Sequence, residues 1–411
     1  MIDQKQIQEW LQSGTINQEQ ATKMLADATQ TRKEESSGKF ITSIVSLGAV
    51  LFGLGAILLV ALSWTGIPDF LKIILLLGAT FGSYYLGYVL AYQKQNYPKA
   101  GAALIFLGAL LFGASVFLIA QIYNMNTSMR STYFLLGLWL VGILPVVYGF
   151  LSETIASLAS LLFFAFIYLV FTTETMQAGN TYGYTRTLID MLVVGIVSGV
   201  MLFGIGGFHY ISEKLKPIAR IYRLFGLQVS LLIIFLLSMK FPYAFFDYSR
   251  GSEEVVQISG TSIGWVATLG VIALLVSVAN LFFGIVKTKI FLAENIAAIV
   301  MLALALLLFF SVGPDMGILF RTLFTAAFAG ILLMMLYIGY QNTDMTVVNK
   351  ATSWMTFFIV IKYFEWFWGM FNPYLFFMLG GVILIMGGIA LEKKRKELKT
   401  RFATASAEYH G

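Results

Sequence analysis

Long apolar runs that end abruptly in polar groups constrain this chain more than any other feature. The clearest is 104–125, where an uninterrupted apolar stretch is followed at once by Gln121, Tyr123 and Asn124. A helix of that length and apolarity can cross a bilayer and is too apolar for the surface of a soluble domain. Its polar end should therefore lie at or just inside one face of a membrane.

The composition extends this interpretation to the whole chain. Of 411 residues, 58% are hydrophobic and 12% are charged, which is more apolar surface than one soluble core can bury. The apolar residues form continuous blocks, whereas a membrane β-barrel would show alternating segments of roughly ten residues. We therefore expect an all-α polytopic membrane protein.

The apolar blocks predict about twelve transmembrane helices. The predicted spans are 40–63, 69–92, 100–122, 132–150, 153–172, 188–210, 220–239, 261–286, 290–311, 316–340, 346–367 and 372–391.

The remaining segments divide the chain into four parts. Residues 1–39 are predicted to form a cytosolic helical hairpin, at 3–30, and a charged linker. The hairpin serves either as an anchor on the helix ends or as a module that binds a cytosolic protein. A first transmembrane region covers 40–150, the remaining bundle covers 151–391, and a basic cytosolic tail covers 392–411.

Positive charge gives an independent test of the topology. If the N-terminus is cytoplasmic, most of the 27 Lys and Arg residues fall on the cytoplasmic ends of the predicted spans. An even number of spans then leaves both termini in the cytoplasm. The basic tail is expected to contact anionic membrane lipid, so the net charge of +6 requires no nucleic-acid partner.

An internal similarity links the first and third spans. Residues 47–53 and 107–113 read LGAVLFG and LGALLFG, sixty positions apart. The similarity indicates either a duplicated two-helix unit or a chance likeness between apolar segments. Both copies place small residues four apart, a spacing that favours close helix packing.

Several segments resemble a known family. They are WLQSGTI at 10–16, LGAVLFGLGAILLVALSW at 47–64, Ile67-Pro68 with Lys72, and LFGASVFLIAQIYN at 111–124. The segment 359–396 is similar to the ends of the same proteins, although Lys362 stands where they usually carry arginine. Together these segments resemble the bacterial predicted membrane proteins grouped as domain of unknown function 2157. The resemblance implies a bacterial inner-membrane location and carries no activity.

Polar side chains inside the predicted spans are the candidate site residues, because polar groups are costly in hydrocarbon. On the predicted outer side these are Gln121, Tyr123, Asn124, Arg321, Lys362 and Glu365. They either line a cavity for an anionic or zwitterionic headgroup or make structural contacts. For Lys362 and Glu365, three apart on one helix face, the structural alternative is a pair that neutralises itself.

A second candidate cluster lies on the predicted cytoplasmic half and comprises Asn280, Glu294 and Asn295. Its structural alternative is hydrogen bonding between helices. The chain has no cysteine and two distant histidines, so no metal site and no cofactor is predicted. No catalytic motif is present, which makes an enzyme the less expected reading.

Three functions remain open at this stage. The first is an inner-membrane protein that binds or moves a small or lipid-like solute through an outer-leaflet polar cavity. The second is a membrane scaffold or regulator whose N-terminal hairpin binds a cytosolic partner. The third is a membrane transferase acting on lipid-linked substrates, which would need an unpaired acid or base in an outer pocket.

Overall fold

A computed structural model describes most of the chain between residues 68 and 367. The described residues are 68–125, 128–177, 184–240, 242–243, 260–282, 289–311, 316–341 and 345–367, with the isolated positions 20, 44, 47, 48, 50–52, 54, 55, 58, 377, 378, 380–382 and 385–389. Within these ranges the chain is helical and contains no strand.

Ten long helices follow one another in the described ranges. They are α1 (Asp69–Tyr88, continued by a π-helical turn Val89–Gln93), α2 (Pro98–Ile122), α3 (Met129–Phe150), α4 (Glu153–Gln177), α5 (Tyr184–Phe208), α6 (Lys216–Leu237), α7 (Gly260–Phe282), α8 (Lys289–Ser311), α9 (Gly317–Gln341) and α10 (Met345–Phe367). Two 3₁₀ turns, His209–Ile211 and Glu213–Leu215, join α5 to α6.

Nine helices in the described part of the chain are long and apolar enough to cross a membrane. They are α1 to α9 and coincide with the second to tenth predicted spans, which confirms a multi-pass helical membrane protein. Helix α10 coincides with the eleventh predicted span but is less apolar, since it carries Lys350, Lys362 and Glu365. The first predicted span and the hairpin at 3–30 lie mostly outside the described residues, and half of the twelfth span does. The count of twelve therefore stays a prediction.

The chain forms two compact units, Met1–Ile155 and Ala156–Gly411. In the first unit, α1 and α2 approach so closely that a Cβ added to Gly87 would lie 2.8 Å from the Gly101 carbonyl oxygen. Helix α3 packs on α2 through Trp139, whose indole N–H donates to the Ala109 carbonyl at 2.9 Å. Gly87 therefore makes room for the backbone of α2, and Gly113 makes room for the Trp139 indole ring.

Helix α5 lies at the centre of the second unit and packs against α6, α7 and α8. Its contact with α6 depends on Gly199, where an added Cβ would lie 2.8 Å from the Gly226 carbonyl oxygen. Helix α9 packs against α10 and α6 on the other side of a core rich in phenylalanine, which includes Phe235, Phe324 and Phe328. Because lipid tails are as apolar as these side chains, close packing and hydrogen bonds hold such helices together.

Candidate functional site

The two charged residues predicted on one face of α10 form an ion pair in the structure. The Lys362 ammonium donates to Glu365 Oε2 at 2.6 Å, and the two side chains are only 5% and 12% exposed. The Lys362 ammonium also donates to the Ser238 carbonyl, and Glu365 Oε1 accepts from the Lys240 backbone N–H. The pair thus ties the end of α10 to the end of α6.

Ser238 is the point where three helices converge. It follows the last residue of α6 and is fully buried. Its carbonyl oxygen accepts from Lys362 of α10 and, at 3.3 Å, from the hydroxyl of Thr325 on α9. The last carbonyls of a helix lack intrahelical partners and carry partial negative charge, so a buried cation stabilises this end of α6.

Arg321, the other cation among the predicted outer residues, lies about one turn into α9 from Gly317 and near the same end of the unit. Its charge acts on Tyr243, which follows α6 and is 7% exposed. Burial raises the pKa of the Tyr243 phenol above its usual value, and the Arg321 cation opposes that shift. The structure therefore brings Arg321, Lys362 and Glu365 to one end of the second unit.

Gln121, Tyr123 and Asn124 belong to the first unit, at the end of α2. Tyr123 is 71% exposed, and Gln121 and Asn124 are also exposed. Asn124 has φ 49°, in the left-handed region that asparagine tolerates well. Its backbone N–H donates to the Gln121 carbonyl at 3.1 Å, so this residue ends the helix.

Glu294, from the second predicted cluster, forms an ion pair with Arg223 of α6. Arg223 is 6% exposed, and its guanidinium lies 4.0 Å from the centre of the Phe203 ring. Arg223 lies inside the predicted span 220–239, but sequence analysis did not single it out as a site residue. In the structure α6 begins at Lys216, and Arg223 lies two turns further along, where it contacts Glu294 of α8.

The two asparagines of that cluster are also buried. Asn280 of α7 donates its amide to the Gly204 carbonyl of α5 at 2.7 Å, a hydrogen bond between two helices. Gly207 leaves the room for this amide, since an added Cβ would lie 2.3 Å from Asn280 Oδ1. Asn295 is fully buried in α8. These contacts favour the structural alternative for Asn280 and Glu294.

A cavity of about 710 Å³ lies between α4, α5, α6 and α10 in the second unit. Its walls are residues within 161–168 of α4, 188–198 of α5 and 224–233 of α6, with Trp354 of α10. We call it the lateral cavity, because residues on its walls reach the surface in the middle of spanning helices. Leu161, Tyr168 and Leu232 are 57%, 51% and 45% exposed.

One hydrogen bond between side chains lies in the wall of the lateral cavity. The Trp354 indole N–H donates to Gln228 Oε1 at 3.2 Å and joins α10 to α6. Sequence reasoning did not single out Gln228, although a lone amide within the apolar sequence of α6 is the kind of signal that marks a site in a span. Among the described residues, no group of three or more acidic or histidine side chains could hold a metal ion.

The comparison with protein families supports the resemblance drawn from the sequence. Residues 8–156 match the family described as "Predicted membrane protein (DUF2157)". The matched segment contains the N-terminal motifs that suggested this family, and it ends where the first compact unit ends. The DUF2157 match therefore covers the first unit and none of the walls of the lateral cavity, which begin at Leu161.

No curated protein and no solved structure matches the chain. The DUF2157 description is that of a membrane protein and names no ligand or reaction.

Proposed function

We propose that the protein binds a lipid-like solute in the lateral cavity of its second unit. The observation that carries this proposal is a cavity of about 710 Å³ with mostly apolar walls, in a bundle of spanning helices. Ligand sites of roughly 300 to 1,000 Å³ with apolar walls and a few polar groups are typical of small-molecule binding.

The position of the lateral cavity favours entry from the bilayer. Three wall residues, Leu161, Tyr168 and Leu232, are about half exposed, and each lies inside a candidate membrane span. Exposed side chains at such positions face lipid tails when the helix crosses a membrane. A solute with a long apolar part can therefore pass from the lipid into the cavity without crossing water.

The contacts of the charged end of the second unit make it a weaker candidate for headgroup binding. Lys362 already contacts Glu365 and the Ser238 carbonyl, so its charge is compensated within the protein. A transferase would need a carboxyl or amine that is free for proton transfer. Lys362 and Glu365 bind each other, which makes them poor candidates for that role. We therefore place the solute in the lateral cavity instead of the outer polar cavity expected from the sequence.

Photochemical labelling tests this proposal. In nanodiscs, palmitate carrying a diazirine should label the walls of the lateral cavity in a saturable manner, read by mass spectrometry of peptides covering 161–168, 188–198 and 224–233. Val229→Phe places a bulkier side chain in the cavity wall and should reduce the labelling several-fold. Leu275→Phe is the matched control, because Leu275 is 63% exposed on α7 and lies outside the cavity. Labelling that does not saturate, or that Val229→Phe leaves unchanged, contradicts the proposal.

We also infer that the protein lies in a bacterial inner membrane with both termini in the cytoplasm. The distribution of Lys and Arg and the resemblance to bacterial membrane proteins support this orientation. Because the chain has no cysteine, single-cysteine variants can test it directly. A maleimide that cannot cross membranes should label Ser128→Cys in intact cells and should not label Ser212→Cys. The reverse result would invert the topology.

The alternative function, a membrane scaffold, depends on the predicted hairpin at 3–30. The family match begins at residue 8, so most of this segment belongs to the part of the chain that resembles other proteins. A cytosolic partner bound there should lose its association with the membrane when residues 3–30 are deleted, while saturable labelling of the lateral cavity persists. Retention of every membrane-associated partner after the deletion contradicts the scaffold.

A further inference from the structure

The Gln228 amide is the feature of the lateral cavity that points to a class of ligand. Trp354 can only donate a hydrogen bond, so the amide must present its oxygen to the indole, at 3.2 Å. The amide nitrogen, with two N–H donors, then points away from Trp354. In the described part of the chain, no acceptor engages that nitrogen.

The depth of Gln228 makes these donors unusual. The residue follows Lys216 by twelve positions and precedes Leu237 by nine. At 1.5 Å per residue it lies about 18 Å from one end of α6 and about 14 Å from the other, close to the middle of a hydrocarbon core of about 30 Å. Free amide donors are costly at such a depth, so an acceptor supplied by a ligand would lower the free energy of the bound state.

This depth limits what the acceptor belongs to. The ester carbonyls of a phospholipid lie near the headgroups, roughly half the hydrocarbon thickness away from Gln228. A carboxylate would bring a charge to the middle of the bilayer, where it is strongly disfavoured. A neutral carbonyl on an otherwise apolar molecule meets both limits.

The aromatic side chains around Gln228 indicate a flat ligand. Phe164, Tyr168, Phe225 and Trp354 all line the lateral cavity. Aromatic rings pack well in offset or edge-to-face contact with another planar ring. The wall contributed by α5 runs from Leu188 to Ser198, a length of about 15 Å, which is long enough to accompany an apolar tail.

We infer that the lateral cavity binds a quinone-type lipid, a planar ring with neutral carbonyl oxygens and an apolar tail. A ring carbonyl accepts from the Gln228 amide, the ring packs among the aromatic side chains, and the tail lies along the apolar wall. This inference rests on the proposed function, since it names the ligand class of the same cavity. It involves binding alone and no redox step.

Competition against the diazirine palmitate separates this inference from the proposed function. Decylubiquinone and decylbenzene share a ring and a ten-carbon tail, but decylbenzene has no acceptor. In the intact protein, decylubiquinone should displace the label at a concentration about tenfold lower than decylbenzene does. This factor corresponds to one hydrogen bond of about 1.4 kcal/mol. In Gln228→Leu, which keeps the size of the side chain, the two compounds should become equal while palmitate still labels the cavity.

Trp354→Phe is the matched variant, because it removes the indole partner and keeps the Gln228 amide. Its preference for decylubiquinone should persist. Equal displacement by both compounds in the intact protein, or a preference that survives in Gln228→Leu, overturns the quinone inference and leaves lipid binding intact. An absence of saturable palmitate labelling overturns both.

Discussion

Lys362 Nζ lies 2.6 Å from Glu365 Oε2, three residues further along α10, in an ion pair almost closed to solvent. Removing one charge leaves the other buried without its counter-charge, which typically costs about 3 to 5 kcal/mol. Lys362→Met should therefore lower the free energy of unfolding by an amount in that range, measured by thermal unfolding in detergent. Adding Glu365→Gln should restore part of the loss.

The first unit offers a matched control for that experiment. Lys72 and Asp69 also lie three residues apart, at 2.9 Å, but the Asp69 side chain is 60% exposed. Exposed pairs contribute about 0 to 1 kcal/mol, so Lys72→Met should change stability little. If Lys72→Met and Lys362→Met change the free energy of unfolding equally, burial does not determine how much the Lys362–Glu365 pair contributes to stability.

Arg223, which is 6% exposed, forms an ion pair with Glu294, and its guanidinium also covers the Phe203 ring. Arg223→Met should lower the free energy of unfolding by about 1 to 3 kcal/mol, because it leaves the Glu294 carboxylate, which is 32% exposed, without its partner. The free energy of unfolding of Arg223→Lys should lie between those of Arg223→Met and the parent protein, because lysine keeps the positive charge but lacks the planar guanidinium. Arg220→Met, at an exposed position on the same helix, is the control and should unfold like the parent. Equal unfolding of Arg223→Met and Arg220→Met contradicts the prediction.

Gly113 faces the Trp139 ring, which would lie 2.2 Å from an added Cβ. Gly113→Ala should therefore force α2 and α3 apart and cost about 1 to 3 kcal/mol, as overpacked cores do. Gly149→Ala on α3 is the control, because no described atom lies within 4 Å of its added Cβ. There the gain in helix propensity should stabilise the protein by up to about 1 kcal/mol. In thermal unfolding, Gly113→Ala should lower the midpoint temperature relative to the parent protein, and Gly149→Ala should raise it.

Features that depend on neighbouring residues in the chain could be predicted from the sequence, and contacts between distant residues could not. The positions of α1 to α9 follow from local apolarity and length, so the second to tenth spans could be predicted. The Lys362–Glu365 pair follows from helical spacing. The contacts of Lys362 with Ser238 and of Arg223 with Glu294 join residues far apart in the chain, and no local pattern encodes them.

The candidate site shows the same limit. Asn124 was selected as a polar group at a span end, but its backbone conformation already accounts for an asparagine there. Gln228 was passed over, because the role of one amide in an apolar helix becomes visible only when Trp354 of α10 and the walls formed by α4 and α5 are known. A cavity is a property of packing between helices, so the sequence alone could not predict its volume or its walls.

The contact between Gly207 and Asn280 allows a test of packing that does not depend on the proposed function. Gly207→Ala alone places a methyl group 2.3 Å from the expected position of Asn280 Oδ1 and should destabilise the protein by about 1 to 3 kcal/mol. Asn280→Ala alone removes the hydrogen bond to Gly204 and should cost about 0.6 to 2 kcal/mol. In the double variant the smaller side chain at 280 makes room for the new methyl group. The double variant should therefore lose less stability than the two single losses combined, in a double-mutant cycle of thermal unfolding. Strict additivity would mean that α5 and α7 do not meet at these two residues.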